Sequence, residues 1–354
     1  MTHTAVLSWE PSVRLTDVGL RGASWADLDR EASSLLGTPV TAVPSVRVGM
    51  CWALEFLGFQ RHTDHVLVPP FLGRCILNSI NRCAFPVEEI THRTRLAVVV
   101  HQFGFQQDLA AIEAQCRVRG LRYLEDSPSG LAHEETVGRG SLAKFIGISK
   151  ILPALKGAFM LSEDDQLTQF VRAKRSESTF WSWPLLLFLM FLRCRRYGAS
   201  YSVLAEVTYE LYSASPGDNA LLRGNVLRAL RQLTDYEQII RERVLLVGDR
   251  LHTRVLLPDA TRLAYVVPLI QNADDEKAIR TVLTRHQCDA SLYHVDMNRN
   301  LFDPDYQRVF LLPLNPRIPQ SVFEALVQEL SRVVVLGAAG STGEVRSESY
   351  VAQR

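Results

Sequence analysis

Two rhythms of apolar positions alternate along the first half of the chain. Short apolar runs, HVLV at 65–68, residues 121–124, residues 158–161 and above all LAVVV at 96–100, have the length of buried strands. Between them lie longer stretches with apolar residues at helical spacing: Val46–Gly58, Cys75–Arg82 and Asp108–Arg119. The last of these carries both end signals, Asp108 as N-cap and Gly120 as stop. Strands alternating with amphipathic helices predict a parallel sheet covered on both faces. Ligands of such sheets bind beyond the carboxyl ends of the strands, and His101 and Asp126 stand at two such ends.

The second half begins with helical patterns over Ser202–Tyr212, Asn219–Leu233 and Tyr236–Val247, the first two separated by the turn SASPGD. A second α/β unit follows, with strands expected at Arg262–Leu269, Ser291–Val295 and Val309–Pro313. Its helices are expected at Asp274–His286 and Gln320–Arg332. The resulting division is a large α/β domain at 1–170, a helical connector at 171–245 and a smaller C-terminal domain at 246–335. A small, polar tail at 336–354 is expected to be disordered.

Composition narrows the class. With 354 residues, 47% hydrophobic and 22% charged, the chain reads as an ordinary globular protein able to bury a large core. A formal net charge of +1 excludes an electrostatic nucleic-acid binder. The six cysteines show no paired spacing, which fits reduced thiols in a cytoplasmic protein and neither a disulfide frame nor a zinc site. The start, MTHTAVLSWEPSV, has no secretory pattern. The apolar segment Trp183–Leu192, followed by Arg193, Arg195 and Arg196, is too short for a bilayer span of roughly 20 residues. It reads as core or dimer interface, with a foot on a membrane surface as the alternative.

Candidate chemistry centres on Asp126 and Lys150. LRYLEDSPSG (121–130) ends an apolar run in two carboxylates, and FIGISKILPALKGAFMLSEDD (145–165) sets Lys150 in an almost wholly apolar neighbourhood. Stripping water from an ammonium costs several kcal/mol. A strand-end carboxylate and a desolvated lysine are what pyridoxal phosphate chemistry uses: one holds the pyridinium nitrogen protonated, the other captures the aldehyde. The alternative is a lysine snorkelling from a strand edge and an aspartate capping a helix.

The order of motifs resembles the DegT/DnrJ/EryC1/StrS group of sugar aminotransferases. The resemblance runs over about residues 35–330, through HVLVPPFLGRCILNSINRCAFPVEEI (65–90), LAVVVHQFGFQQDLAAIEAQCRVRGLRYLEDSPSG (96–130), the lysine segment and FLLPLNPRIPQSVFEALVQEL (310–330). It implies an aspartate-aminotransferase-like α/β fold (pyridoxal-phosphate fold type I), with a mainly parallel sheet between helices and a smaller C-terminal α/β domain. It also implies pyridoxal 5′-phosphate as cofactor, an amino-acid donor, a small oxo substrate and a homodimer. By the same resemblance Lys150 bonds to the cofactor and then moves the proton, and Asp126 pairs with the ring nitrogen. Ser149 adjoins the lysine, and His101 lies near the ring or is a satisfied strand-end histidine.

Departures from the family pattern bear on the rest of the site. Its phosphate loop corresponds to Gly49-Met50-Cys51-Trp52, without the usual hydroxyl, so that Ser45, Arg47 and Arg74 are candidate replacements. The ring-stacking aromatic is missing at Leu72 and Gly73, leaving Phe71 as the nearest ring, and Ser129 stands where His or Gln is expected. The reading is therefore an aminotransferase acting on a keto sugar or other small oxo-metabolite. The alternatives are pyridoxal-phosphate chemistry other than transamination, and an eroded relative serving as a regulatory or assembly partner.

Overall fold

The apolar runs form the centre of a seven-stranded sheet in the computed structural model, which describes residues 13, 15–18, 21–128, 130–132, 135–177, 215–259, 261–270 and 275–340. The expected helix at Ser202–Tyr212, the apolar segment Trp183–Leu192 and the tail beyond 340 lie outside the described residues. Helices α1 (Leu15–Val18) and α2 (Trp25–Leu36) lead into β1 (Thr41–Val43) and α3 (Val46–Phe56). Then come β2 (His65–Leu67), α4 (Arg74–Cys83), β3 (Phe85–Val87), β4 (Thr94–Val100), α5 (Leu109–Arg119) and β5 (Arg122–Ser127). After β6 (Gly130–Ala132), the strands β7 (Ser141–Gly147) and β8 (Ala158–Leu161) and helix α6 (Asp165–Ser176) complete this part.

The strand order is β1-β8-β7-β5-β4-β2-β3. β2 pairs in parallel with β3 and β4, and β5 in parallel with β4 and β7, while β8 is antiparallel to both β7 and β1. Alternation along β4 sends Val98 and Val100 into one apolar layer, with Met50 of α3 and Ile80 of α4. Ala97 and Val99 face the other, against Ile112 of α5. The end signals of α5 act as expected: Asp108 accepts from the Ala111 amide at 3.0 Å, and Gly120 closes the helix at φ 64°.

From residue 215 onward, α7 (Ala220–Arg231) starts at its N-cap Asn219 and α8 (Leu233–Leu251) follows directly. β9 (Arg262–Ala264), β10 (Val266–Ile270), α9 (Glu276–Arg285), β11 (Tyr293–Asp296), β12 (Tyr306–Pro313) and α10 (Gln320–Gly340) make the C-terminal part. The strand expected over Arg262–Leu269 is two strands in two sheets. β9 pairs with β6, whereas β10 joins the antiparallel sheet β10-β12-β11, and the buried Tyr265 marks the switch. The last helix continues to Gly340, past the Arg332 expected. No helix among the described residues is long and apolar enough to cross a membrane.

Candidate active site

Parallel strands deliver their carboxyl ends to one place, and here those ends wall a cavity of about 320 Å³. Phe71 follows β2, Gln102 and Phe103 follow β4, Asp126 belongs to β5, and Ser149 and Lys150 follow β7. Ser45 and Arg47 come from the start of α3, and Tyr265 and Tyr293 from the C-terminal part.

Consecutive residues of a strand face opposite ways, so Glu125 and Asp126 meet different surroundings. Glu125 is fully buried behind the cavity, accepting from His101 Nε2 at 2.9 Å and from the Gly138 amide at 2.7 Å. Burial raises the Glu125 carboxyl. The His101 hydrogen bond, the charges of His101 and Lys144 and the Gly138 amide outweigh it and hold the group below the usual carboxylate range. The Gln107 amide donates to His101 Nδ1 at 3.1 Å, which leaves the ring proton on Nε2, facing Glu125. Burial pushes the His101 pKa down, opposed by the hydrogen bond to Glu125 and its charge. His101 thus belongs to the sealed network and does not line the cavity, as the strand-end alternative described.

Asp126 is equally buried, but neither carboxylate oxygen has a hydrogen-bond partner. Burial pushes its pKa up to about 7, opposed by the charges of Lys150 and Arg47. Lys150 is half-buried, its Nζ 5.2 Å from the centre of the Tyr265 ring. Ser149 lines the cavity beside it.

The other expected positions separate. Helix α3 begins at Val46 behind the N-cap Ser45, whose hydroxyl accepts from the Val48 amide at 3.2 Å. Gly49, Met50 and Cys51 therefore lie inside the helix and not on a loop at the cavity. A Cβ on Gly49 would come 2.6 Å from Phe145 Cε1, Met50 is core, and the Cys51 thiol donates to the Ser79 carbonyl at 3.2 Å. The turn that reaches the cavity is Ser45-Val46-Arg47. Arg74 is exposed at the start of α4 and does not line the cavity.

Phe71 lines it at φ 59°, a conformation costly for a residue with a Cβ. Its ring stacks on His294 at 3.8 Å and meets Tyr306 edge-on at 5.0 Å. Ser129 lies outside the described residues. Gln102, Phe103, Lys156, Tyr265 and Tyr293 also line the cavity and carried no sequence signal that singled them out. Lys156 is the exception in principle, since it is a second lysine in the apolar run that follows Lys150.

The chain belongs to the family described as "Putative PLP-dependent aminotransferase", whose model matches residues 38–334. No curated protein matches it in sequence. Its fold is similar to that of the aminotransferase TlmJ from Streptoalloteichus hindustanus, at 18% identity and TM-score 0.66, covering 94% of this chain and 100% of TlmJ. It is also similar to Helicobacter pylori PseC, an aminotransferase of pseudoaminic acid biosynthesis (13%, TM-score 0.64, covering 94% of this chain and 100% of PseC). A third likeness is to NtdA from Bacillus subtilis with bound PMP (13%, TM-score 0.63, covering 95% of this chain and 86% of NtdA). The α/β fold is accordingly that of the pyridoxal-phosphate aminotransferases, and pyridoxal phosphate is the cofactor of the family.

The residues present fit that cofactor. Asp126 offers a buried carboxylate with two open acceptor oxygens in the same cavity as Lys150, and a pyridinium N–H is a donor of the kind it lacks.

Proposed function

We propose that the chain is an aminotransferase that moves an amino group from an amino-acid donor to a keto sugar or another small oxo-metabolite, as a homodimeric member of the DegT/DnrJ/EryC1/StrS group. The observation that carries the reading is the orphaned Asp126 carboxylate facing the cavity that Lys150 lines. Bound pyridoxal phosphate supplies an electron sink for the carbon that gives up its proton. Asp126 would keep a proton on the ring nitrogen through a charge-assisted hydrogen bond. Lys150 Nζ would hold the cofactor and would take and return the proton at the substrate carbon. The Tyr265 face beside Lys150 helps keep water away from that amine.

Incubating the purified protein with pyridoxal phosphate and then glutamate, with other amino acids in turn, tests this directly. Appearance of pyridoxamine phosphate, followed by its consumption when an oxo acceptor is added, is the expected result. A captured cofactor that no amino acid converts would contradict transamination. It would favour other pyridoxal-phosphate chemistry, a reading supported by Phe71 being stacked on His294 while Gly73 provides no ring.

A further inference from the structure

Helices α3 and α4 pack against one another, and each brings a cysteine to the seam between them. Cys51 lies in the second turn of α3, and Cys83 is the last residue of α4. Ser79 and Cys83 stand four residues apart on α4 and so share one face of it. Cys51 meets both: its thiol donates to the Ser79 carbonyl at 3.2 Å, and its sulfur is in hydrogen-bond contact with the Cys83 sulfur. From the other side, Cys83 Sγ lies 3.9 Å from the Cys51 carbonyl oxygen. Both are free, part-exposed thiols, whereas Cys116 and Cys288 are buried. The hydrogen bond from Cys51 holds the Cys83 thiol below its ordinary range, helped by Arg82 and opposed by burial and Glu55. That hydrogen bond, together with burial, pushes the Cys51 thiol up. Burial pushes the Cys116 thiol up to about 11 and the Cys288 thiol up to about 12.

We propose that Cys51 and Cys83 form a peroxide-reactive dithiol that closes reversibly to a disulfide between α3 and α4, with Cys83 the attacking sulfur and Cys51 the resolving one. The Cys83 thiolate attacks one oxygen of hydrogen peroxide. The S–O bond forms, the O–O bond breaks, and the departing hydroxide is protonated to water. The Cys51 thiolate then attacks the oxidised Cys83 sulfur. The S–S bond forms, the S–O bond breaks, and the second hydroxide leaves as water with the proton that Cys51 gave up. Two thiols and one peroxide thus become one disulfide and two waters, and a dithiol reductant reverses the change. The bond joins two helices whose first turns wall the cavity, through Arg47 on α3 and Cys75 on α4.

The test exposes the full chain to a small excess of hydrogen peroxide, alkylates the remaining thiols and maps the unreduced peptides by mass spectrometry. One cross-linked pair, Cys51 with Cys83, lighter by two hydrogen atoms and opened by dithiothreitol, is the expected result. In Cys51→Ser the sulfenic acid on Cys83 has no resolving partner. Dimedone should then label Cys83 at least about tenfold faster than it labels Cys116 or Cys288 in the same sample. Cys83→Ser should leave Cys51 unmodified at the same dose. Mixed pairing, a bond made from Cys75, or Cys83 labelled no faster than the buried thiols would overturn the proposal. So would a wild-type chain that forms no bond between Cys51 and Cys83, a result that depends on no variant folding.

Discussion

Glu125 and Asp126 are neighbours on one strand and equally inaccessible to water, yet one is sealed and the other is left open. Glu125 meets His101, the Gly138 amide and the charge of Lys144, and its carboxyl is held low. Asp126 meets no hydrogen-bond donor, and burial lifts it to about 7. The sealed network behind Glu125 continues through Lys144, which contacts Glu135 at 2.5 Å, and Arg262, which contacts the same carboxylate at 3.1 Å. Burial alone therefore says little about a carboxylate's purpose. A buried acid with its partners supplied holds the fold together, and one without them is kept for something that arrives.

The comparison breaks first at Glu125. Glu125→Ala leaves His101 Nε2–H and the Gly138 amide unpaired, and is expected to cost about 3 kcal/mol or more, read from the denaturant midpoint. A loss below about 1 kcal/mol would remove the contrast.

Asp126→Asn should do the reverse in the cofactor-free protein, stabilising it by on the order of 2 kcal/mol at pH 8. The sign follows from linkage. The folded pKa of about 7 lies above the ordinary 3.8, so the folded chain holds a proton that the unfolded chain has lost. Wild-type stability falls as pH rises from about 4 to about 7 and stays lower above it; the variant lacks that fall. Melting temperatures that differ near pH 8 and converge near pH 4 are the expected pattern. A less stable variant at pH 8 would contradict it. The same variant should lose much of the thermal stabilisation that pyridoxal phosphate gives the wild type, because the ring nitrogen no longer meets a carboxylate.

Arg74→Ala should show the smallest effect. An exposed side chain outside the cavity predicts a stability change within about 0.5 kcal/mol and unchanged cofactor occupancy. Loss of occupancy would show that the cofactor reaches beyond the cavity lined by Asp126 and Lys150.

Much of the scaffold was legible because its signals are local. Asp108 and Gly120 bound α5 through hydrogen bonds and a left-handed turn that involve only nearby residues. LAVVV could be only a buried strand, and its end put His101 and the neighbouring strand's Asp126 at the sheet's working edge. β7 was harder to see, because Lys144 interrupts its apolar run, and the Glu135 that pairs with it is recognisable only once the sheet is built. Gly49 looked like a loop residue but lies inside α3, and its lack of a side chain is required by the Phe145 ring packed on it. Lys156 gave no reading at all, since the carbonyls that hold it come from Ser215 and Gly217, distant in sequence. Nothing in the order of residues distinguishes a sealed His101 from one that faces a ligand; that depends on where the Glu125 side chain turns.

The most direct measurement is to load the protein with pyridoxal phosphate, trap the lysine bond by borohydride reduction and map the modified peptide by mass spectrometry. A single adduct on Lys150, lost in Lys150→Ala and much reduced in Asp126→Asn, is the result expected of a cavity in which the two groups hold one cofactor. No adduct, or one placed on Lys156 with Lys150 unmodified, would contradict it.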